Sequence, residues 1–144
     1  TPMIKGLDGS AKMSKSLGNT IMLSATEDET AKLIKKAKTD QERYISYDVV
    51  NRPEVANLLQ IISLCTGEEP ETIAARIGDG GGGMLKSTLT EALNEELRPL
   101  RTKRLELEKN MDYVRKVLND GVEKAREIAA QTLKEVRTAM NMDI

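Results

Sequence analysis

Apolar residues recur along most of this chain at the three-and-four spacing of helices. Leu33, Ile34 and Ala37 mark a short amphipathic helix opened by Thr26-Glu27-Asp28-Glu29, a capping box that sets carboxylates at the positive end of the helix dipole. Thr39-Asp40 is expected to break it, and a loop carrying Tyr44 and Tyr47 leads on. Pro53 suits the first turn of a second helix, where Val55, Leu58, Leu59, Ile62 and Cys65 share a face until Gly67 stops it. Pro70 opens a short third helix, ended by Gly78. Gly78-Asp79-Gly80-Gly81-Gly82-Gly83 reads as a flexible connector. Leu85, Leu89, Leu93, Leu97, Leu100 and Leu107 then trace a long helix. Pro99 is expected to kink or break it, because an interior proline lacks the N–H and costs about 3 kcal/mol. Met111, Val114, Val117 and Leu118 mark another helix, expected to end around Asn119-Asp120-Gly121. Val122, Ala125, Ala129, Leu133, Val136 and Met140 share one face of the last. The pattern predicts an all-α helical bundle with no internal repeat.

Residues 1–25 read differently. Gly6, Gly9 and Gly18, with Ser10, Ser14, Ser16 and Asn19, make a small, polar segment that is expected to be mobile. It ends in Thr20-Ile21-Met22-Leu23, read either as a short strand or as the approach to the first helix. The expected division is therefore residues 1–25 as a leading segment and 26–144 as a helical domain.

Composition narrows the chemistry. The 144 residues suffice for one domain with a real core, and with no Phe or Trp that core must be aliphatic. The absence of histidine excludes a Ser-His-Asp or Cys-His triad and an imidazole zinc site within this chain. Cys65 is alone, so no internal disulfide forms, which fits a reducing interior. Net charge is −1, yet 31% of residues are charged. Lys5, Lys12 and Lys15 outweigh Asp8 at the front, acidic residues dominate 51–100, and basic ones slightly exceed them after 100. This is no polybasic tail. No apolar run approaches the ~20 residues that span a bilayer, no leader is expected, and the cytoplasm is the default. The start at Thr1-Pro2, without an initiator Met, raises the expectation of an excised piece.

Four motifs invite a chemical reading. The glycine run before Met84-Leu85-Lys86-Ser87 lacks the lysine directly after the last glycine that a phosphate-binding loop needs. Cys65 lies on an apolar face with no histidine to activate it, and reads as a small hydrophobe. Glu68, Glu69 and Glu71 suit a solvated helix start better than a metal site, and none is expected. Lys12-Met13-Ser14-Lys15-Ser16 is of another quality: two ammonium groups and two hydroxyls on a glycine-flanked segment can follow a moving phosphate and meet the charge on a leaving pyrophosphate.

That string matches letter for letter the KMSKS signature of class I aminoacyl-tRNA synthetases. Gly6-Leu7-Asp8-Gly9 and Leu17-Gly18-Asn19 around it resemble the bacterial tryptophanyl branch. So do Ala37-Lys38-Thr39-Asp40, Leu97-Arg98-Pro99-Leu100-Arg101, Asn119 through Arg126, and Thr132 through Met140. The resemblance implies the carboxyl-terminal portion of such a synthetase: a KMSKS loop and a helical anticodon-binding domain, with the Rossmann nucleotide-binding sheet and the tryptophan pocket absent from this chain. In that family the amino-acid carboxylate attacks the α-phosphate of ATP with Mg²⁺ present, and the aminoacyl group then passes to tRNA.

Carried over by position, Lys12 and Lys15 are the catalytic cations, and Lys12, Met13, Ser14, Lys15 and Ser16 bind ATP. Arg98, Arg101, Lys103 and Arg104 are the candidate tRNA contacts, with Lys124 and Arg126 placed near them and Glu106 and Glu108 weakening the patch. The resemblance further implies ATP with Mg²⁺ as substrate pair, none held tightly by this piece alone, tRNA(Trp) and tryptophan as partners, and a homodimer with no membrane association. The piece by itself is expected to be inactive. Four consecutive glycines depart from the family pattern, where a bulky residue is usual. The tyrosyl branch shares the motif, and a non-enzymatic helical RNA-binding module is the reading from a different class.

Overall fold

The structure, a computed structural model, describes residues 3–142. Thr1 and Pro2, on which the expectation of an excised piece rests, lie outside them. Among the described residues the regular elements are all helical: α1 (Glu27–Lys35), α2 (Pro53–Thr66), α3 (Pro70–Ile77), a 3-10 turn (Gly78–Gly80), α4 (Gly81–Glu108) and α5 (Met111–Ala139). The all-α expectation holds. The chain divides into two compact units, one up to Arg101 and the other from Thr102.

The first unit is built around an aliphatic core. Ile34 of α1, Val55, Leu58, Leu59 and Ile62 of α2, Ile73 of α3, and Leu85 and Leu89 of α4 are fully buried together with Ile45 of the α1–α2 connection. Tyr47 packs at the edge of this cluster. At the start of α1 the capping box is complete: the Glu29 N–H donates to Thr26 Oγ1 at 3.2 Å and the Thr26 N–H to Glu29 Oε2 at 2.8 Å. Thr26→Ala is expected to lower stability by about 1 kcal/mol, seen as a lower urea midpoint at unchanged slope.

Several expected boundaries move. α1 stops at Lys35, before Thr39-Asp40. Its last turn gives way because Ala37 turns into the core and the Lys38 N–H leaves to donate to the Leu7 carbonyl at 2.8 Å. Thr20 to Leu23 are neither strand nor helix, and a turn closes there through the Ala25 N–H and Met22 carbonyl. The glycine run is a built turn rather than a loose connector. Gly78 at φ 49° and Gly81 at φ 71° take left-handed backbone that a side chain resists. The Ile45 N–H donates to the Gly78 carbonyl and Arg43 Nε to the Asp79 carbonyl, so the α1–α2 connection grips this turn from outside. Gly81–Gly83 form the first turn of α4.

Pro99 does not break α4, which runs on to Glu108. Leu97 is buried just before it, and Arg101 just after it donates to Asn94 Oδ1 and Thr30 Oγ1, so both sides of the proline are anchored. Asn119-Asp120-Gly121 likewise lies inside α5 rather than ending a helix. A glycine costs about 1 kcal/mol relative to alanine in a helix interior, too little to stop one flanked by Val117-Leu118 and Glu123-Lys124-Ala125.

The second unit holds the end of α4 and α5, which is capped by Asn110 through its Oδ1 and the Tyr113 N–H. The apolar face read from Val122 to Met140 is present, yet no residue of α5 is buried. One long helix and a helix end have no core of their own to receive it. Among the described residues no helix is long and apolar enough to cross a membrane.

Candidate functional site

Residues 6–19 form a loop in which Leu7 joins the core and Asn19 is the buried polar side chain. Asn19 is 4% exposed, although its neighbours Leu17 and Gly18 lie in solvent. Its Oδ1 accepts the Ser14 N–H at 2.7 Å. Its Nδ2 donates to Asp8 Oδ1 at 3.0 Å, to Ser10 Oγ at 2.6 Å and to the Lys12 carbonyl at 3.2 Å. Its own carbonyl accepts the Leu7 N–H. Asp8 Oδ1 also takes the Ser10 hydroxyl at 2.7 Å and the Ser10 N–H at 3.0 Å. These donors, Ser10 foremost and Asn19 after it, pull the Asp8 carboxyl down to about 2, so it stays an acceptor across the working pH range. Gly6 closes the base of the loop, with its N–H donating to the Ser10 carbonyl. A Cβ there would collide with Asn19 Nδ2, Asp8 Oδ1 and Ser10 Oγ.

This scaffold presents the lysine-serine segment in a defined way. Met13 is half-buried and packs on the core, while Lys12 and Lys15 on either side are exposed. The Gly18 N–H donates to the Lys15 carbonyl at 3.3 Å and turns the chain back toward Asn19. The Ser14 and Ser16 hydroxyls bond each other at 2.9 Å, leaving their remaining capacity toward solvent. Within the segment expected to bind ATP, the Ser14 N–H donates to Asn19 Oδ1. Nearby, Lys38 and Glu54 form an ion pair at 2.8 Å, and the Asn57 side chain holds the Lys5 backbone at both its N–H and its carbonyl.

The candidate RNA contacts are more fully engaged than a basic patch suggests. In the first unit, Arg98 pairs with Glu95 at 2.8 Å, and Arg101 is half-buried against Asn94 and Thr30. In the second, Lys103 pairs with Glu106 at 3.0 Å and Arg104 with Glu108 at 2.7 Å. Lys124 and Arg126 are exposed on α5.

The structure places the other motifs as follows. Cys65 is half-buried, and burial followed by the charge of Glu96 pushes its thiol up, away from reactivity. Lys86 donates to the Lys35 carbonyl at 3.2 Å. No group of three or more metal-ligating residues occurs among the described residues. Asp8, Ser10 and Asn19, which build this loop, were not singled out from the sequence as site residues, although Asp8 and Asn19 lay in the flanks quoted for the resemblance.

The family model for class I tRNA synthetases (W and Y) matches residues 1–98. Tryptophan–tRNA ligase from a Nostoc species is 38% identical over 136 residues, which cover 92% of this chain and 41% of that protein. The ligase from Rickettsia conorii is 41% identical over 133 residues, covering 90% and 40%. Among solved structures, tryptophanyl-tRNA synthetase from Campylobacter jejuni complexed with ADP and tryptophan matches with a TM-score of 0.77 and 28% identity, over 98% of this chain and 44% of that one. The chain thus spans about two-fifths of the length of the curated relatives it matches.

Proposed function

The chain belongs to the class I tRNA synthetases of the W and Y group, and from that premise we propose that it is the carboxyl-terminal part of a tryptophan–tRNA ligase. Residues 1–25 supply the phosphate-binding loop, and residues 26–144 supply the helical part that recognises tRNA. The observation that carries the reading is the loop itself. Lys12 and Lys15 are exposed on a backbone that Asn19 holds at the Lys12 carbonyl and the Ser14 N–H and that Met13 seats on the core.

In this reading the carboxylate of tryptophan attacks the α-phosphate of magnesium-bound ATP, an aminoacyl-adenylate forms, and pyrophosphate leaves. Lys12 and Lys15 meet the charge that grows on the phosphates, and Ser14 and Ser16 add hydrogen bonds. No proton moves through these residues, so the lack of histidine is no obstacle. The aminoacyl group then passes to the terminal ribose of tRNA(Trp). Arg98, Arg101, Lys103 and Arg104 are the proposed tRNA contacts. A cytoplasmic homodimer belongs to the same reading.

The test is ATP–pyrophosphate exchange. The complete protein is expected to exchange when given tryptophan, and residues 1–144 alone are expected not to. Exchange driven by tyrosine instead, or turnover by the 144 residues alone, overturns the assignment.

A further inference from the structure

We infer that Asn19 is a positioning residue for the two lysines: its carboxamide sets the distance and orientation between Lys12 and Lys15, so the pair meets the transferring phosphates as a unit. The inference rests on the reading of this loop as the phosphate-binding half of a tryptophan–tRNA ligase site. Asn19 contacts neither ammonium group. It acts on the backbone that carries them.

The geometry is specific. One side chain grips the Lys12 carbonyl at 3.2 Å and the Ser14 N–H at 2.7 Å, the two residues that flank Met13. The Met13 side chain is seated on the core, so this three-residue stretch is held on both sides. From Ser14 the chain needs one further residue to reach Lys15, and the Lys15 carbonyl closes a turn with the Gly18 N–H that returns to Asn19. Lys12 is thus tied to the carboxamide directly, and Lys15 through its neighbour Ser14 and the Gly18 turn that leads back to Asn19. Asp8 and Ser10 orient that carboxamide in turn: Asp8 accepts from Nδ2, which leaves Oδ1 facing Ser14. An amide is required here, because the position needs an acceptor on one side and donors on the other. Burial of Asn19 makes either missing partner costly. A pinned loop leaves the lysines less freedom to lose at the transition state, which acts on turnover more than on substrate binding.

The experiment compares Asn19→Ala, Asn19→Asp and the double variant Asp8→Asn/Asn19→Asp with Lys15→Ala, all in the complete protein. It reads kcat, the KM values for ATP and tryptophan in pyrophosphate exchange, and thermal unfolding. Asn19→Ala is expected to lower kcat about tenfold, with the KM for tryptophan unchanged and the folded fraction at assay temperature intact. Asn19→Asp is expected to lose more, because two carboxylates then face each other. Adding Asp8→Asn is expected to recover part of that loss, since amide and carboxylate have exchanged places. Wild-type kcat in Asn19→Ala beside a slow Lys15→Ala overturns the positioning role while sparing the reading of the loop. A loss that merely follows the folded fraction also overturns it, by making Asn19 structural. Should Lys15→Ala itself turn over normally, the reading of the loop fails and the inference falls with it.

Discussion

Lys15→Ala in the complete protein is expected to slow tryptophan-dependent pyrophosphate exchange by about 10²–10³-fold, the loss typical of removing one preorganised group aimed at developing charge. The effect belongs in kcat, because charge on the β- and γ-phosphates rises as pyrophosphate departs and the ammonium matters most at that point. Lys15→Arg is expected to recover only part of the rate. The guanidinium keeps the charge but is planar and broad, whereas the ammonium is a compact charge on a flexible stem. Lys12→Ala is expected to act in the same direction, and the double variant to lose less than the product of the two, since in the proposed reading both act on the same departing pyrophosphate. Both side chains are exposed, so thermal unfolding should move by no more than about 0.5 kcal/mol. Normal exchange by Lys15→Ala removes this loop from the chemistry.

The second large effect concerns stability. Arg52 keeps 7% of its side-chain surface exposed, and its guanidinium is enclosed by the loop that precedes α2. Nε and Nη2 form a bidentate pair with Asp40 at 2.7 Å each, and Nη1 donates to the Tyr44 carbonyl at 2.6 Å and to Ser46 Oγ at 3.0 Å. This arginine therefore organises the whole α1–α2 connection, which in turn grips the glycine turn before α4. Arg52→Met is expected to cost about 3 kcal/mol, near the low end for breaking a buried pair, because Asp40 retains about a third of its surface in water. Guanidinium or urea denaturation of the 144-residue chain checks it. The pair also has a pH signature. The hydrogen bond from Arg52 holds the Asp40 carboxyl below its ordinary value. A lowered folded pKa means its contribution is complete above the unfolded value, about pH 4, and is lost as pH falls through the folded one. The stability gap between wild type and Arg52→Met is expected to narrow on acidification below pH 4. A gap that stays constant there assigns the loss to packing rather than to the ion pair.

Helix starts were the most legible feature of this chain, because they depend on local chemistry. Thr26 with Glu29, and Pro53 and Pro70 in first turns, act within four residues, and each helix begins where those signals stand. Helix ends were less legible. Thr39-Asp40, Pro99 and Gly121 are all local stop signals, and none of them ends a helix where it stands. Lys38 left α1 early for Leu7, Arg101 held α4 together past its proline, and good helix formers carried α5 through its glycine. Arg52 shows the same limit from the other side. A lone arginine before a proline helix carries no local sign of burial, since its partners lie up to twelve residues away across a loop.

In the candidate site the division is sharper. The string from Lys12 to Ser16 suggests phosphate chemistry through its charges and hydroxyls, which are properties of the residues themselves, and the match to a family signature makes that suggestion a proposal. Spacing could also say that an all-α body follows, and composition that its core is aliphatic. It could not say that Asn19 is buried, that Asp8 and Ser10 aim its carboxamide, or that the Ser14 N–H is spent inside the loop. Those facts depend on chain segments closing on one another, as do the pairings that occupy Arg98, Arg101, Lys103 and Arg104. Residue type sets which interactions a position is able to make, whereas only the folded chain brings partners close enough to decide which of them form.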